Sequence, residues 1–260
     1  MNAQSQAITP KTRPAEKKVN SEAKLAVNLE VNLEVNSHAN IEANSEANTK
    51  ANPPADTEVD SPRFWNSLYK ESQFPWDLGG PTPVFVRLAA EGLLERGRML
   101  VLGAGRGHDA RLFARHGFEV TAVDFSVEAV EHMGQLNDLS LPVEIVHADF
   151  FSLSKEWDNR FDYILDYTSF CAILPARRAE YADLVARLLK HGGRYVILAF
   201  PIGSRPGGPP YTVQPEAIID LYSKRGFKLH FRETPTDSVP ERKGYEQLLI
   251  LEKSSPIEAG

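Results

Sequence analysis

Three glycines at alternate positions, Gly103, Gly105 and Gly107 in "VLGAGRG", stand where an apolar run breaks off. Lacking Cβ atoms, they let the backbone turn sharply and approach a bound molecule closely. Asp124 closes the next apolar run, "FEVTAVD", about 20 residues further on, the spacing at which a carboxylate meets the two hydroxyls of a ribose. Asp149 and Phe150 stand together in "VEIVHADFF". An acid beside an aromatic ring suits an adenine, the acid accepting from the exocyclic amine and the ring covering a face. The dinucleotide pattern GxGxxG places its third glycine inside the following helix, whereas the spacing here is GxGxG with His108 next. That weighs against a pyrophosphate. Asp124 serves either kind of ligand, but the three positions together favour S-adenosylmethionine over a dinucleotide. A tight strand-to-helix turn with no ligand is the bland alternative.

The elements that hold these residues alternate. "MLVLGAG" reads as a buried strand and "HDARLFARHG" as a helix stopped by Gly117. "FEVTAVD" is a second strand, "SVEAVEHMGQLN" a helix opened by Ser126 as N-cap, and "VEIVHADFF" a third strand. "FDYILDYTSF" is apolar throughout, as a central parallel strand should be. "ARRAEYADLVARLLKHGG" reads as an amphipathic helix closed by its double glycine, before "RYVILAF" as a fifth strand. After the helix "PEAIIDLYSKRG" come "FKLHFRE" and "YEQLLILEK", joined only by a loop and so antiparallel. The expected fold is α/β and Rossmann-like: a seven-stranded, mostly parallel sheet with an antiparallel last strand and helices on both faces. Dinucleotide domains keep their sheet parallel, whereas the class I methyltransferase fold inserts an antiparallel last strand beside the fifth.

Every Phe, Trp and Tyr lies beyond Asp60, and the segment before it carries Asn at each fourth position from Asn28 to Asn52. Residues 1–60 therefore read as a disordered or weakly helical low-complexity arm, 61–253 as the folded domain and 254–260 as a flexible tail. A coiled coil in the arm would need larger residues at heptad spacing. The single cysteine, Cys171, rules out an internal disulfide and makes a reducing, cytoplasmic home the expectation. A net charge of −6 offers no general attraction to nucleic acid or membrane. No signal peptide or membrane span is read. The expected partner is a small molecule, the expected state a monomer, and no metal is expected.

The folded part resembles the thiopurine-type class I methyltransferases, and most closely the halide and thiol methyltransferases of plants and bacteria. The likeness rests on "FWNSLYKESQFPWDLGGPTP", "LVLGAGRGHD", "VDFS", "ADFF", "FDYILDYTSFCAI" and "GGPPYTV", running from Phe64 to Lys253. It implies that Trp65, Tyr69 and Trp76 belong to an N-terminal helix and loop that fold over the donor, where aromatic faces attract a sulfonium. Tyr69 stands where the family often has a second tryptophan. It further implies that Gly103 and Asp124 hold the methionyl backbone and the ribose, and that Asp149 with Phe150 holds the adenine. Tyr167 would lie near the reactive methyl, and Tyr211 would line the acceptor pocket. For each tyrosine, simple packing at a strand end is the alternative.

Methyl transfer from a sulfonium is an in-line displacement that needs mainly alignment and a dry site. Halide, thiocyanate and hydrosulfide need no proton removed at neutral pH, so a general base is dispensable, which fits the absence of an obvious His/Asp pair in the sequence. His108 and His147 read as structural or surface residues, and Cys171 as a packed thiol. Thiopurines, organic thiols and oxidised selenium or tellurium species remain open as acceptors. From other classes, a nucleotide-binding oxidoreductase and a silent binding module remain open.

Overall fold

The apolar runs lack a polar face because both faces of the sheet are covered. In the computed structural model, which describes residues 59–255, strand β1 (Arg98–Leu102) is buried along its length after Arg98. Leu100 and Leu102 face helices α5 (Arg178–Leu188) and α6 (Pro215–Ser223). Met99 and Val101 face α2 (Pro83–Ala90), α3 (His108–Arg115) and α4 (Val127–Gln135). Each such side chain contributes roughly 1.5–3 kcal/mol through its burial, so an alternating polar strand has no place at the centre.

Strands β2 (Glu119–Asp124), β3 (Glu144–His147), β4 (Phe161–Tyr167), β5 (Leu189–Ala199), β6 (Phe227–Glu233) and β7 (Gln247–Lys253) complete the sheet, in the order β3-β2-β1-β4-β5-β7-β6. β7 lies antiparallel between β5 and β6, with Val196 opposite Ile250 and Leu229 opposite Leu251. The short β6–β7 connection requires that reversal, and the other six strands run parallel. Sheet order reverses between β1 and β4, the switch point where ligands bind in open α/β sheets.

Local signals set the helix starts. Ser126 accepts from the N–H of Ala129 at 3.2 Å and opens α4. Ser61 and Pro62 open α1 (Pro62–Lys70), which packs over α4 with Lys70 Nζ 2.8 Å from Glu128. Two expectations shift. α5 ends at Leu188, ahead of the double glycine, because Leu189 already pairs with Phe161; Gly192 and Gly193 fall in an irregular stretch of β5 before pairing resumes at Arg194. β3 ends at His147, so Asp149 and Phe150 lie beyond the strand, where Phe150 opens the short 3₁₀ turn Phe150–Ser152. The asparagine-rich arm and the end of the tail fall outside the described residues. No described helix is long and apolar enough to cross a membrane.

Candidate active site

The floor of the site is the loop from β1 to α3. Gly103, Gly105 and Gly107 have φ of 63°, 55° and 69°, the left-handed region that side chains rarely adopt. Protein neighbours also exclude side chains there: a Cβ on Gly103 would lie 2.6 Å from Ser169 Oγ, and one on Gly107 would lie 2.5 Å from Met133 Cγ. Three amides of the loop are already engaged. Ala104 donates to Val123 O at 3.0 Å, Gly105 to Asp124 Oδ2 at 2.8 Å and Gly107 to Ala104 O at 2.9 Å. A pyrophosphate binds amides that are free, so these three do not serve one.

Asp124 is 7% exposed. Its second oxygen accepts from Ser126 N at 2.9 Å, so the carboxylate ties the glycine loop to the start of α4. Burial pushes its carboxyl up from the ordinary value, opposed by the N–H bonds of Ser126 and Gly105. Asp149 is exposed and its Oδ1 accepts from Phe151 N at 2.9 Å, which caps the 3₁₀ turn. The Phe150 ring lies 4.0 Å from the Cβ position of Gly103 and packs edge-on against Tyr181. The fold thus brings Phe150 beside the glycine loop.

Above the loop lies a strap, residues 71–82, that follows α1. Trp76 lines the main cleft, and Trp65 and Tyr69 stand behind it, their rings edge-on at 5.3 and 5.6 Å. Trp65 donates its indole N–H to Val59 O at 2.8 Å. Tyr69 is 5% exposed and its hydroxyl lies 3.1 Å from the Cβ position of Gly105, so the tyrosine packs onto the loop itself. Of the three aromatics only Trp76 is a wall of the cleft; the other two set its pose.

The strap is tied to the glycine loop and the start of α3 by side chains. Asp77 accepts from Gly79 N at 2.6 Å and faces Arg106 and His108, each at 3.4 Å. Burial pushes the Asp77 carboxyl up, but the His108 contact, the Gly79 N–H and the charges of His108 and Arg106 outweigh it and hold it below the usual carboxylate value. Thr82 donates both its N–H, at 2.7 Å, and its hydroxyl, at 2.9 Å, to Asp109. Burial still lifts the Asp109 carboxyl to about 6. Arg111 lies 3.0 Å from Nδ1 of His108 and can only donate, so the proton of a neutral imidazole sits on Nε2, facing Asp77. The fold therefore creates a His/Asp pair that the sequence did not reveal, and uses it as a tie.

Tyr167, the last residue of β4, lines the same cleft together with Trp76, Phe85 and Thr168. Its hydroxyl donates to Glu246 and accepts from Arg242, and burial pushes its ionisation far up. Nearby, Asp166 accepts from Tyr181 at 2.6 Å and from Tyr195 at 2.8 Å, and it holds the N–H of Phe170, which anchors the turn after β4. Tyr211 is not among the residues lining this cleft. Its N–H donates to Cys171 O at 2.7 Å and its ring lies over Gly208, whose Cβ position is 2.4 Å from Tyr211 Cδ1. Cys171 is a buried thiol that burial pushes up to about 12, and its Sγ donates to Thr168 O. His147 is exposed and bonds Phe125 O.

Asp77 was legible as part of the "PWD" block, but Arg242 and Glu246 stand in "PERKGYEQ", which reads as an ordinary charged connection. No group of three or more His, Cys, Asp and Glu that could hold a metal is present among the described residues. The site thus offers three occupied loop amides, carboxylates beneath them, an aromatic wall and, among the described residues, no cluster of free cationic donors. Such a cleft suits a nucleoside carrying a positive sulfur better than a pyrophosphate.

Known proteins agree with that reading. "Probable thiol methyltransferase 2" of Arabidopsis thaliana is 38% identical over 197 residues, covering 74% of this chain and 85% of the relative. "Thiocyanate methyltransferase 1" of the same plant is 35% identical over 190 residues, covering 71% and 82%. The solved structure of Burkholderia thailandensis 1,6-didemethyltoxoflavin-N1-methyltransferase, with its substrate and S-adenosylhomocysteine bound, superposes with a TM-score of 0.61 at 21% identity and covers 79% of this chain and 93% of that one, a likeness of fold. Residues 60–253 match the family model of thiopurine S-methyltransferase (TPMT), which removes the oxidoreductase reading. The chain is therefore a member of the thiopurine S-methyltransferase family of S-adenosylmethionine-dependent methyltransferases.

Proposed function

We propose that the protein moves the methyl group of S-adenosylmethionine onto a small soft nucleophile, a halide, thiocyanate, hydrosulfide or small organic thiol, by in-line displacement without a general base. The observation that carries this reading is the state of the titratable groups in the cleft wall. Asp77 and Asp109 are held by backbone N–H groups, and both ring nitrogens of His108 face fixed neighbours. Each of these groups is committed to the strap, and halide, thiocyanate and hydrosulfide are ionised at neutral pH and need no proton removed, while an organic thiol reacts as its thiolate after giving its proton to water.

The connection from β5 to α6, residues 200–214, supports a small acceptor. It folds back on itself, with Val213 N donating to Pro201 O at 3.0 Å, and carries no separate cap. On this reading Trp76 and Phe150 flank the donor, Gly103 and Asp124 take its amino-acid end and ribose, Asp149 takes the adenine amine, Tyr167 borders the acceptor, and Tyr211, which does not line this cleft, is assigned to the acceptor's outer side. Cation–π attraction between a sulfonium and an enclosed ring adds about 0.5–2 kcal/mol. The names of the plant relatives, thiol and thiocyanate methyltransferase, favour the same acceptors.

Purified protein supplied with methyl-labelled S-adenosylmethionine and, in turn, iodide, thiocyanate and hydrosulfide should release methyl iodide, methyl thiocyanate or methanethiol into the headspace. Methylation of a thiopurine with none of these volatile products would assign the protein the bulkier acceptor instead.

A further inference from the structure

Arg242 ends the 3₁₀ turn Pro240–Arg242 between β6 and β7 and is 7% exposed. Its guanidinium presents its N–H donors in a rigid planar fork. Nη1 donates to the hydroxyl of Tyr167, while Nη2 donates to the carbonyls of Pro75 at 3.2 Å and Trp76 at 3.0 Å. The plane rests over the rings of Phe200 and Tyr167, at 4.8 and 5.1 Å. Glu246, 2% exposed, takes the proton side of the same hydroxyl, so the buried charges meet through Tyr167.

Neighbouring parts of the strap are thus held by different means. Asp77 and Thr82 tie it to the glycine loop, and Arg242 ties Pro75 and Trp76 to the end of β4. Trp76 and Tyr167 are both walls of the cleft, and one guanidinium fixes both. An in-line displacement loses orders of magnitude in rate when its reactants are misplaced by an ångström.

We propose that Arg242 is a positioning residue for methyl transfer, a single side chain that sets the Trp76 segment of the strap and the Tyr167 hydroxyl in one geometry, so that the two walls of the cleft come into place together. The inference rests on the reading of this cleft as the methyl-transfer site. Lysine keeps the buried charge but lacks the fork, so it tests the geometry apart from the charge.

The test uses the full chain with Arg242→Lys, Tyr167→Phe and the double variant, followed by amide hydrogen exchange over residues 74–79, affinity for S-adenosylhomocysteine, and kcat and KM with hydrosulfide. Arg242→Lys should speed exchange over 74–79 at least tenfold while the central strands exchange as in the wild type. It should lower kcat at least tenfold, with a smaller change in KM for hydrosulfide. Tyr167→Phe leaves both carbonyl bonds in place and should leave exchange over 74–79 unchanged. The double variant should lose less in kcat than the product of the single losses. Should the lysine variant not fold, Arg242→Met with Glu246→Gln removes both buried charges and takes its place under the same readouts. Wild-type exchange over 74–79 together with wild-type kcat in a folded Arg242 variant would overturn the proposal. A wild-type protein that binds S-adenosylhomocysteine yet methylates neither hydrosulfide nor thiocyanate would refute the acceptor, and the exchange result would still decide the role of Arg242.

Discussion

The N–H of Gly105 points at Oδ2 of Asp124 across 2.8 Å, while the other oxygen of that carboxylate takes the N–H of Ser126. The acid at the end of β2 therefore builds the loop before it meets any ligand. Asp124→Ala should leave two buried amides without acceptors, costing about 1–3 kcal/mol for each. Calorimetry with S-adenosylhomocysteine should show weakened binding alongside a lowered melting temperature. Unchanged donor affinity would refute the role given to Asp124.

Gly103→Ala asks for a side chain at φ 63° and 2.6 Å from Ser169 Oγ. Left-handed backbone alone costs an alanine roughly 1–2 kcal/mol, and the contact adds to it. Ser169→Gly should recover the contact part and leave the backbone part, a split readable from thermal unfolding of the single and double variants. A Gly103→Ala protein as stable as the wild type would mean that the loop shifts freely.

Trp76→Leu should weaken binding of S-adenosylmethionine more than that of S-adenosylhomocysteine, because only the former carries the sulfonium. An enclosed cation–π contact of about 0.5–2 kcal/mol corresponds to roughly 2- to 30-fold in Kd. Equal losses for both ligands would make Trp76 a packing surface only.

Tyr211→Phe keeps the backbone bond to Cys171 and the ring over Gly208, so the variant should fold. It should change kcat/KM for the acceptor while donor affinity stays near the wild type. Parallel loss of both would show that Tyr211 supports the fold alone.

Asp109 supplies a pH signature. Its carboxyl rises from 3.8 to about 6 in the folded protein, chiefly through burial. The folded chain then holds this proton more tightly than the unfolded chain, so this group's contribution to stability falls as pH rises from about 4 to about 6, by roughly 3 kcal/mol at most. Above that window the cost is constant. Asp109→Asn keeps an acceptor for Thr82 and removes the titration, so its melting temperature should gain on the wild type between pH 4 and 6. A difference that does not change with pH across that window would refute the assignment.

The fold was legible because its causes are local and periodic. Both faces of a central parallel strand are buried, so "MLVLG" and "FDYILD" had to be apolar throughout, and the brief connection between "FKLHFRE" and "YEQLLILEK" forced an antiparallel end. Boundaries were less legible where pairing overrides a local stop. Leu189 joins the ladder opposite Phe161, so the helix stopped short of Gly192 and Gly193. The site was legible as far as single positions reach: the glycines, Asp124, Trp76 and Tyr167. His108 read as structural or surface because its partner Asp77 lies on a separate segment, and Arg242 read as part of a charged connection although it is buried beneath the strap.

The sequence by itself determined the alternation of strands and helices, the antiparallel last strand and the place of the ligand loop, since each follows from residue type and spacing along a few neighbouring turns. Only the tertiary structure decided that three of the loop amides are already taken and that Asp77, Asp109 and Arg242 bind the strap down. It also decided that Tyr167 stands on the cleft while Tyr211 stands off it. Those outcomes depend on which distant segments meet, and a buried charge takes its role from the partner that folding brings to it.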